Sequence, residues 1–147
     1  RDAVPYVAVT TDIITGFPGE TEEDFEETMD LVRRVRYDSA FTFLYSIRTG
    51  TPAAEYDSQV PEDVKHARFE RLVDTLNEIT AQKNARYLGR TEKVLVEEGG
   101  RQGSGTCSGR TDTFKLVNFA CSEEKIGQIV DVKITETKTF SLFGELV

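Results

Sequence analysis

The chain has 147 residues, of which 38% are hydrophobic and 30% charged, a composition that suits one ordinary folded domain or two small ones. No apolar run approaches the roughly 20 residues of a membrane span, and the start lacks the apolar segment of a secretory signal. We therefore expect a cytoplasmic protein with no membrane partner. The net charge of −8 argues against nucleic-acid binding by bulk charge. Residues 1–87 carry −7 and residues 88–147 only −1, so the second part can still present a basic face.

The first part of the sequence predicts a β-strand, a helix and a second strand, followed by a long helix. Residues 8–15 and 40–46 are rich in β-branched and aromatic side chains and predict strands. Thr21 and Asp24 form a variant of the capping box, which predicts a helix over residues 22–36. Pro61 at a first helical position and Gly89 as a C-cap bound an amphipathic helix of about 26 residues, roughly 40 Å long.

This βαβ unit predicts a parallel sheet, and parallel strands need cover on both faces. One unit cannot supply that cover, so we expect the α/β part to be incomplete by itself. The chain also begins only a few residues before a strand. Both observations suggest a piece of a longer protein.

The sequence pattern changes from helical to β-type from Arg90 onward. Five short β-type runs follow, separated by turns such as GGRQGSG at 99–105: TEKVLVEE, GTCSGRTD, FKLVNF, GQIVDVKITET and FSLFGELV. Many short strands within about 60 residues predict a small all-β barrel or sandwich. We place the boundary at 88–90, which gives domains of residues 1–88 and 89–147.

Two turns follow the predicted parallel strands and are expected at the same rim of the sheet. GFPGE at 16–20 allows close backbone approach, and free N–H groups at the helix start can meet an anion or polar ligand. YSIRTGTP at 45–52 carries Arg48, which can pair with a carboxylate or phosphate. The alternative for GFPGE is an ordinary crossover turn, and the alternative for Arg48 is a solvent-exposed loop arginine.

Other single residues carry weaker signals. Asp12 lies inside an apolar strand and is expected to be buried with a partner, either orienting a ligand or anchoring a loop. His66, the only histidine, is expected at the surface, and no nucleophile–base pair can be proposed. Cys107 and Cys121 lack metal-ligand spacing and are interpreted as reduced thiols with structural or incidental roles.

In the β part, basic and aromatic residues alternate along the chain, a pattern that small barrels use to bind single-stranded RNA. The alternative places most phenylalanines in the core and the lysines in water. The residues are Arg110, Lys115, Lys133 and Lys138, with Phe114, Phe119, Phe140 and Phe143.

Several blocks in order carry a family resemblance over almost the whole chain. TDIITGFPGETEEDFEETMDLV, YDSAFTFLYSIRTGTPAA and VPEDVKHARFERL resemble the later part of the catalytic barrel of the radical S-adenosylmethionine methylthiotransferases. GRTDTFKLVNF and IGQIVDVKITETKTFSLFGELV resemble the TRAM domain that ends those enzymes. The resemblance implies an incomplete TIM-type α/β barrel segment followed by a small OB-like TRAM barrel. The KLVNF and KTFSLFGELV blocks look most like the branch that adds a methylthio group to carbon 2 of isopentenylated adenosine beside the tRNA anticodon.

The resemblance also implies cofactors and partners for a longer parent enzyme: S-adenosylmethionine, two 4Fe-4S clusters, the tRNA anticodon stem-loop and the missing amino-terminal part. The family's radical-generating CxxxCxxC and three further cysteines are absent here, and Ile47 and Thr49 replace prolines of the family loop. We therefore expect no catalytic residue, no metal and no cofactor bound by this chain alone, which should be inactive. By analogy, the resemblance assigns cofactor contacts to Gly16, Phe17, Gly19, Glu20 and Arg48, and RNA contacts to Arg110, Lys115 and Lys138. Alternatives are a non-catalytic RNA-binding module, or action on threonylcarbamoyl-adenosine tRNA or a ribosomal protein.

Overall fold

A computed structural model describes residues 3–100 and 105–147, so residues 101–104 of the GGRQGSG turn lie outside the described residues. The chain divides into two compact units. One is Val9–Ile79, and the other is Thr80–Val147 together with the residues before Val9. None of the helices in the described residues is long and apolar enough to cross a membrane.

The unit Val9–Ile79 is built on two parallel strands with helices on one face. Its elements are β1 (Thr10–Thr15), α1 (Glu22–Val35), β2 (Ser39–Leu44), a short 3-10 helix (Pro52–Glu55) and most of α2 (Glu62–Asn84). The two strands pair in parallel, with Thr10 opposite Ser39 and Thr15 opposite Leu44. The predicted βαβ unit is therefore confirmed.

Helix α1 begins at a capping box and ends at a residue with a positive φ angle. The Thr21 hydroxyl accepts a 3.1 Å bond from the Asp24 N–H, and the Asp24 carboxylate accepts a 2.9 Å bond from the Thr21 N–H. The helix ends at Arg36, whose φ of 53° takes the chain out of the helical region. Its buried stripe packs against α2, and the core consists of Phe25, Met29, Val32, Leu72, Leu76 and Ile79.

The other face of this two-stranded sheet is open. Asp12 is exposed on it, directly opposite Phe41 in the register. Ile14, Phe41 and Phe43 are 56%, 68% and 51% exposed on the same strands. The expectation of a buried Asp12 is thus wrong for this chain, because side chains alternate along a strand and α1 and α2 cover only the face that carries Ile13 and Ala40.

The second unit contains a closed five-stranded barrel, as the sequence predicts. The strands are β3 (Thr91–Gly99), β4 (Thr106–Thr111), β5 (Leu116–Ala120), β6 (Ile129–Thr137) and β7 (Leu142–Leu146). Their order around the barrel is β3-β4-β5-β7-β6, and β5 pairs with β7 in parallel while the other described pairs are antiparallel. The core contains Val94, Val96, Val117, Phe119, Val132, Ile134 and Leu142.

Two glycines let the small barrel close tightly. A Cβ added at Gly109 would lie 2.2 Å from the Leu95 carbonyl oxygen, and one at Gly144 would lie 2.5 Å from the Lys133 carbonyl oxygen. Only glycine fits where neighbouring strands approach so closely.

Cys107 and Cys121 form a disulfide across β4 and the end of β5, with Cα atoms 5.5 Å apart. The interpretation as reduced thiols is therefore corrected. The two cysteines are 14 residues apart in sequence, but antiparallel pairing sets Cys107 opposite Phe119 and brings Cys121 alongside.

Candidate functional site

The turn after β1 is held by its own hydrogen bonds. The Gly16 N–H donates to the Glu20 carboxylate at 3.0 Å, the Gly19 N–H to the Ser58 carbonyl at 2.8 Å, and the Glu20 N–H to the Phe17 carbonyl at 2.9 Å. These three turn N–H groups are therefore occupied within the protein, and the anion site predicted at the helix start stays a prediction. The positive φ angles of Gly16 and Gly19, 79° and 89°, let the chain make the turn.

A buried arginine of α2 locks the same turn. Arg68 Nη1 donates to the Glu20 carboxylate at 2.9 Å and to the Glu20 carbonyl at 3.0 Å, while Arg68 Nε donates to Glu22 at 2.9 Å. The Arg68 side chain is 7% exposed. Glu20, with one carboxylate oxygen on Gly16 and the other on Arg68, serves here to hold the turn in shape.

The ion pairs extend outward from Arg68 to the protein surface. Arg71 contacts both Glu22 and Glu26. Hydrogen bonds from Arg71 and then Arg68 lower the pKa of the Glu22 carboxyl below its ordinary value. The Glu22 carboxylate therefore stays ionised in mild acid, where its contacts with Arg68 and Arg71 connect the start of α1 to α2.

Lys65 is a residue that sequence reasoning missed. It is 3% exposed, and its stem lies against Gly16, where an added Cβ would be 2.2 Å from Lys65 Cγ. Its ammonium donates to the Tyr45 carbonyl at 3.3 Å and to Glu62, and lies 5.9 Å from the Tyr45 ring centroid. Lys65 therefore links the turn after β1 to the turn after β2. His66, the next residue, is exposed as predicted.

The two turns meet at one rim, as parallel pairing predicts. The Tyr45 N–H donates to the Thr15 carbonyl at 2.9 Å, directly before both turns. Phe17 is 45% exposed and makes edge contacts with Tyr45 and Tyr56, with ring centroids 5.4 and 6.5 Å away. Arg48 is also exposed. The rim thus presents an aromatic cluster and a cation.

On the barrel, two cations lie over aromatic rings. Arg110 lies 4.3 Å from the Phe114 ring centroid and 3.2 Å from Glu97. Lys138 lies 4.6 Å from the Phe143 ring centroid and 3.4 Å from Glu136. Both carboxylates are partly exposed, so a phosphate can compete for the cations in water.

Lys115, the third predicted RNA contact, is 8% exposed, so its side chain is not presented like those of Arg110 and Lys138. Phe119 lies in the core, as the alternative interpretation had it, whereas Phe114 and Phe140 are 69% and 74% exposed. The alternation of charged and aromatic residues in the sequence could not separate these cases, because burial depends on where each residue falls along its strand or turn.

Within the described residues, no group of three His, Cys, Asp or Glu side chains is placed to hold a metal ion. Both cysteines are used in the disulfide. The chain therefore does not offer ligands for an iron–sulfur cluster at any described position.

Comparison with known proteins shows what the two parts of the chain are similar to. Residues 85–147 match the protein-family model of the TRAM domain. A tRNA-2-methylthio-N(6)-dimethylallyladenosine synthase of Clostridium botulinum is 61% identical over 145 residues, which is 99% of this chain and 32% of the relative. Proteins of the same name from Clostridium tetani and Alkaliphilus oremlandii are 58% and 54% identical over all 147 residues, covering 32% and 31% of their lengths. The chain therefore carries a TRAM domain at residues 85–147 and is similar along its whole length to the carboxyl-terminal region of the tRNA-2-methylthio-N(6)-dimethylallyladenosine synthases, of which it spans about a third.

Proposed function

We propose that this chain is the carboxyl-terminal part of a radical S-adenosylmethionine enzyme that adds a methylthio group to isopentenylated adenosine beside the tRNA anticodon, in the cytoplasm. The observation that carries the proposal is the 61% identity over 99% of the chain to a relative named for this modification. In this proposal residues 1–88 belong to the catalytic barrel and residues 89–147 bind the tRNA.

The open face of the β1–β2 sheet supports a larger barrel. Ile14, Phe41 and Phe43 are exposed there, and parallel strands with one bare apolar face are unusual in a complete domain. In a TIM-type barrel this face would point to the interior and be packed by side chains of the remaining strands. Residues outside this chain would supply those strands.

Residues outside this chain would also supply the ligands of both 4Fe-4S clusters, since the described residues offer none. S-adenosylmethionine, when bound, supplies an organic radical and the methyl group. Phe17 and Arg48 would contact it from the rim, with an aromatic surface and a cation for its carboxylate. Gly16, Gly19 and Glu20 would act through the shape of the turn that carries Phe17. The isolated chain would therefore be inactive.

The enzymatic proposal is tested in a full-length protein that contains this chain. Mass spectrometry of nucleosides should detect methylthiolation of tRNA by the full-length protein and none by the 147-residue chain. Arg48→Ala should raise the dissociation constant for S-adenosylmethionine about tenfold or more, as expected for loss of a charge-assisted contact. Arg34→Ala, at an exposed arginine of α1, is the matched control and should change nothing. Activity of the 147-residue chain alone would contradict the proposal, and equal effects of the two substitutions would remove Arg48 from the cofactor site.

The RNA proposal is tested with the 147-residue chain itself. Arg110→Ala with Lys138→Ala should weaken binding to an anticodon stem-loop and flatten its salt dependence by about 1.4 in the log–log slope, for two phosphate contacts to a single strand. Lys93→Ala removes a lysine on β3 that is more exposed than either cation, and should have little effect. An unchanged slope in the double variant would exclude these cations as phosphate contacts.

A further inference from the structure

The barrel surface carries a cleft that the proposed tRNA contacts leave unexplained. It has a volume of about 490 Å³ and lies over β5 and β7. We call it the β5–β7 cleft, and define it by its lining residues: Thr106, Asn118, Phe119, Ala120, Thr135, Phe143, Gly144 and Glu145. A ligand role for this cleft rests on the proposed RNA-binding role of the barrel.

The cleft combines one aromatic wall with polar groups. Asn118 on β5 lies directly opposite Phe143 on β7 in the parallel register, and both side chains are partly exposed. Glu145 follows two residues after Phe143, on the same side of the strand. Gly144, between Phe143 and Glu145, also lines the cleft.

The surroundings indicate where charge on a ligand would lie. Lys138 is 4.6 Å from the Phe143 ring centroid, at the rim of the cleft, and Arg110 lies on the neighbouring strand β4 opposite Leu116. Glu145 places a carboxylate among the lining residues, which disfavours a phosphate inside. The arrangement therefore suits a ligand with a flat neutral part inside the cleft and anionic groups outside it.

We propose that the β5–β7 cleft binds one unpaired RNA nucleotide, with its base against Phe143, its edge toward Asn118 and Glu145, and its phosphate toward Lys138. The Glu145 carboxylate can only accept hydrogen bonds when ionised. Uracil donates only from N3–H, between two carbonyl oxygens that a carboxylate repels, so Glu145 favours bases that carry an exocyclic amino group. A volume of about 490 Å³ lies within the range of about 300–1,000 Å³ that is usual for small-ligand sites, so it suits a ligand of nucleotide size.

The test uses the 147-residue chain and fluorescently labelled ten-nucleotide oligomers of adenosine, cytidine and uridine, with a blunt RNA duplex for comparison. Phe143→Leu keeps an apolar side chain but removes the ring, and should weaken single-strand binding at least about fivefold with an unchanged salt slope. Ile129→Ala, at a 69% exposed position on the β3–β6 side, is the control and should leave binding unchanged. Glu145→Gln should reduce the preference for adenosine and cytidine oligomers over uridine. Asn118→Ala, a smaller change at the surface, gives a second measure if Phe143→Leu disturbs folding by circular dichroism.

The outcomes distinguish a failure of the nucleotide site from a failure of the proposed RNA-binding role of the barrel. If Arg110→Ala with Lys138→Ala weakens binding but Phe143→Leu and Asn118→Ala do not, the RNA role stands and the cleft is not a nucleotide site. If the chain binds none of the oligomers or the stem-loop, the RNA role itself fails. A salt slope that falls with Phe143→Leu, or a uridine preference, would also overturn the assignment of base and phosphate.

Discussion

Replacing Gly16 by alanine should destabilise the unit Val9–Ile79 more than any comparable glycine substitution in it. The φ angle of Gly16 is 79°, and an L-residue in this left-handed region costs about 1–2 kcal/mol. The new Cβ would also lie 2.2 Å from Lys65 Cγ and 2.5 Å from Lys65 Cδ. Because Lys65 is buried and bonded at its far end, moving it adds about 1–3 kcal/mol of overpacking. We expect a total loss of about 2–5 kcal/mol.

Gly50→Ala is the matched control. Gly50 has a φ of 86°, but no described atom lies within 4 Å of its added Cβ, so only the backbone cost of about 1–2 kcal/mol applies. Urea unfolding followed by circular dichroism measures both, and an excess of about 2 kcal/mol moves the midpoint by about 1 M urea. Combining Gly16→Ala with Lys65→Ala should remove most of the excess. Equal losses at Gly16 and Gly50, or no coupling with Lys65, would refute the reasoning.

The remaining predictions concern charge and the disulfide. Arg68→Ala should lower the free energy of unfolding in urea by about 3 kcal/mol, because it leaves a mostly buried Glu20 without its partner. Arg34→Ala removes an exposed ion pair and should lower it by under about 0.5 kcal/mol. Similar losses in the two variants would show that Arg68 does not hold the turn. Reducing the disulfide should lower barrel stability by about 3 kcal/mol, and a variant with serine at both cysteines should not respond to reductant; two titratable thiols before reduction would contradict it. Burial raises the pKa of Glu92 above 4.5, so ionisation opposes folding above the raised pKa; this penalty fades as the pH falls from the raised pKa toward 4.5 and is absent below 4.5. Glu92→Gln should therefore stabilise the barrel at neutral pH and lose this advantage in acid, as a pH series of unfolding curves would reveal.

The elements that local chemistry specifies were predictable from the sequence. The capping box at Thr21 predicted the start of α1, and five short β-type runs between Gly-rich or polar turns predicted the five barrel strands. Parallel pairing placed the Gly16 and Tyr45 turns side by side without knowledge of the fold.

The features that depend on neighbours far along the chain were not predictable. The helical pattern alone would place Lys65 in solvent, and its burial comes from packing against Gly16. Asp12 reads as a buried residue of an apolar strand, but the face that carries it has no cover in this chain. Pairing of Cys107 with Cys121 required the register of β4 and β5, which sequence spacing does not reveal.

The parallel pairing of β5 with β7 has a consequence for the folding of the barrel. The antiparallel hairpins β3–β4, β4–β5 and β6–β7 join strands that are consecutive along the chain, and these close over short loops. The β5–β7 and β3–β6 seams join strands that are not consecutive, so they are expected to form last. Since Asn118 and Phe143 stand on opposite sides of the β5–β7 seam, the cleft exists only once the barrel has closed. A nucleotide bound there would select the closed barrel and stabilise it by an amount that grows with the logarithm of its concentration.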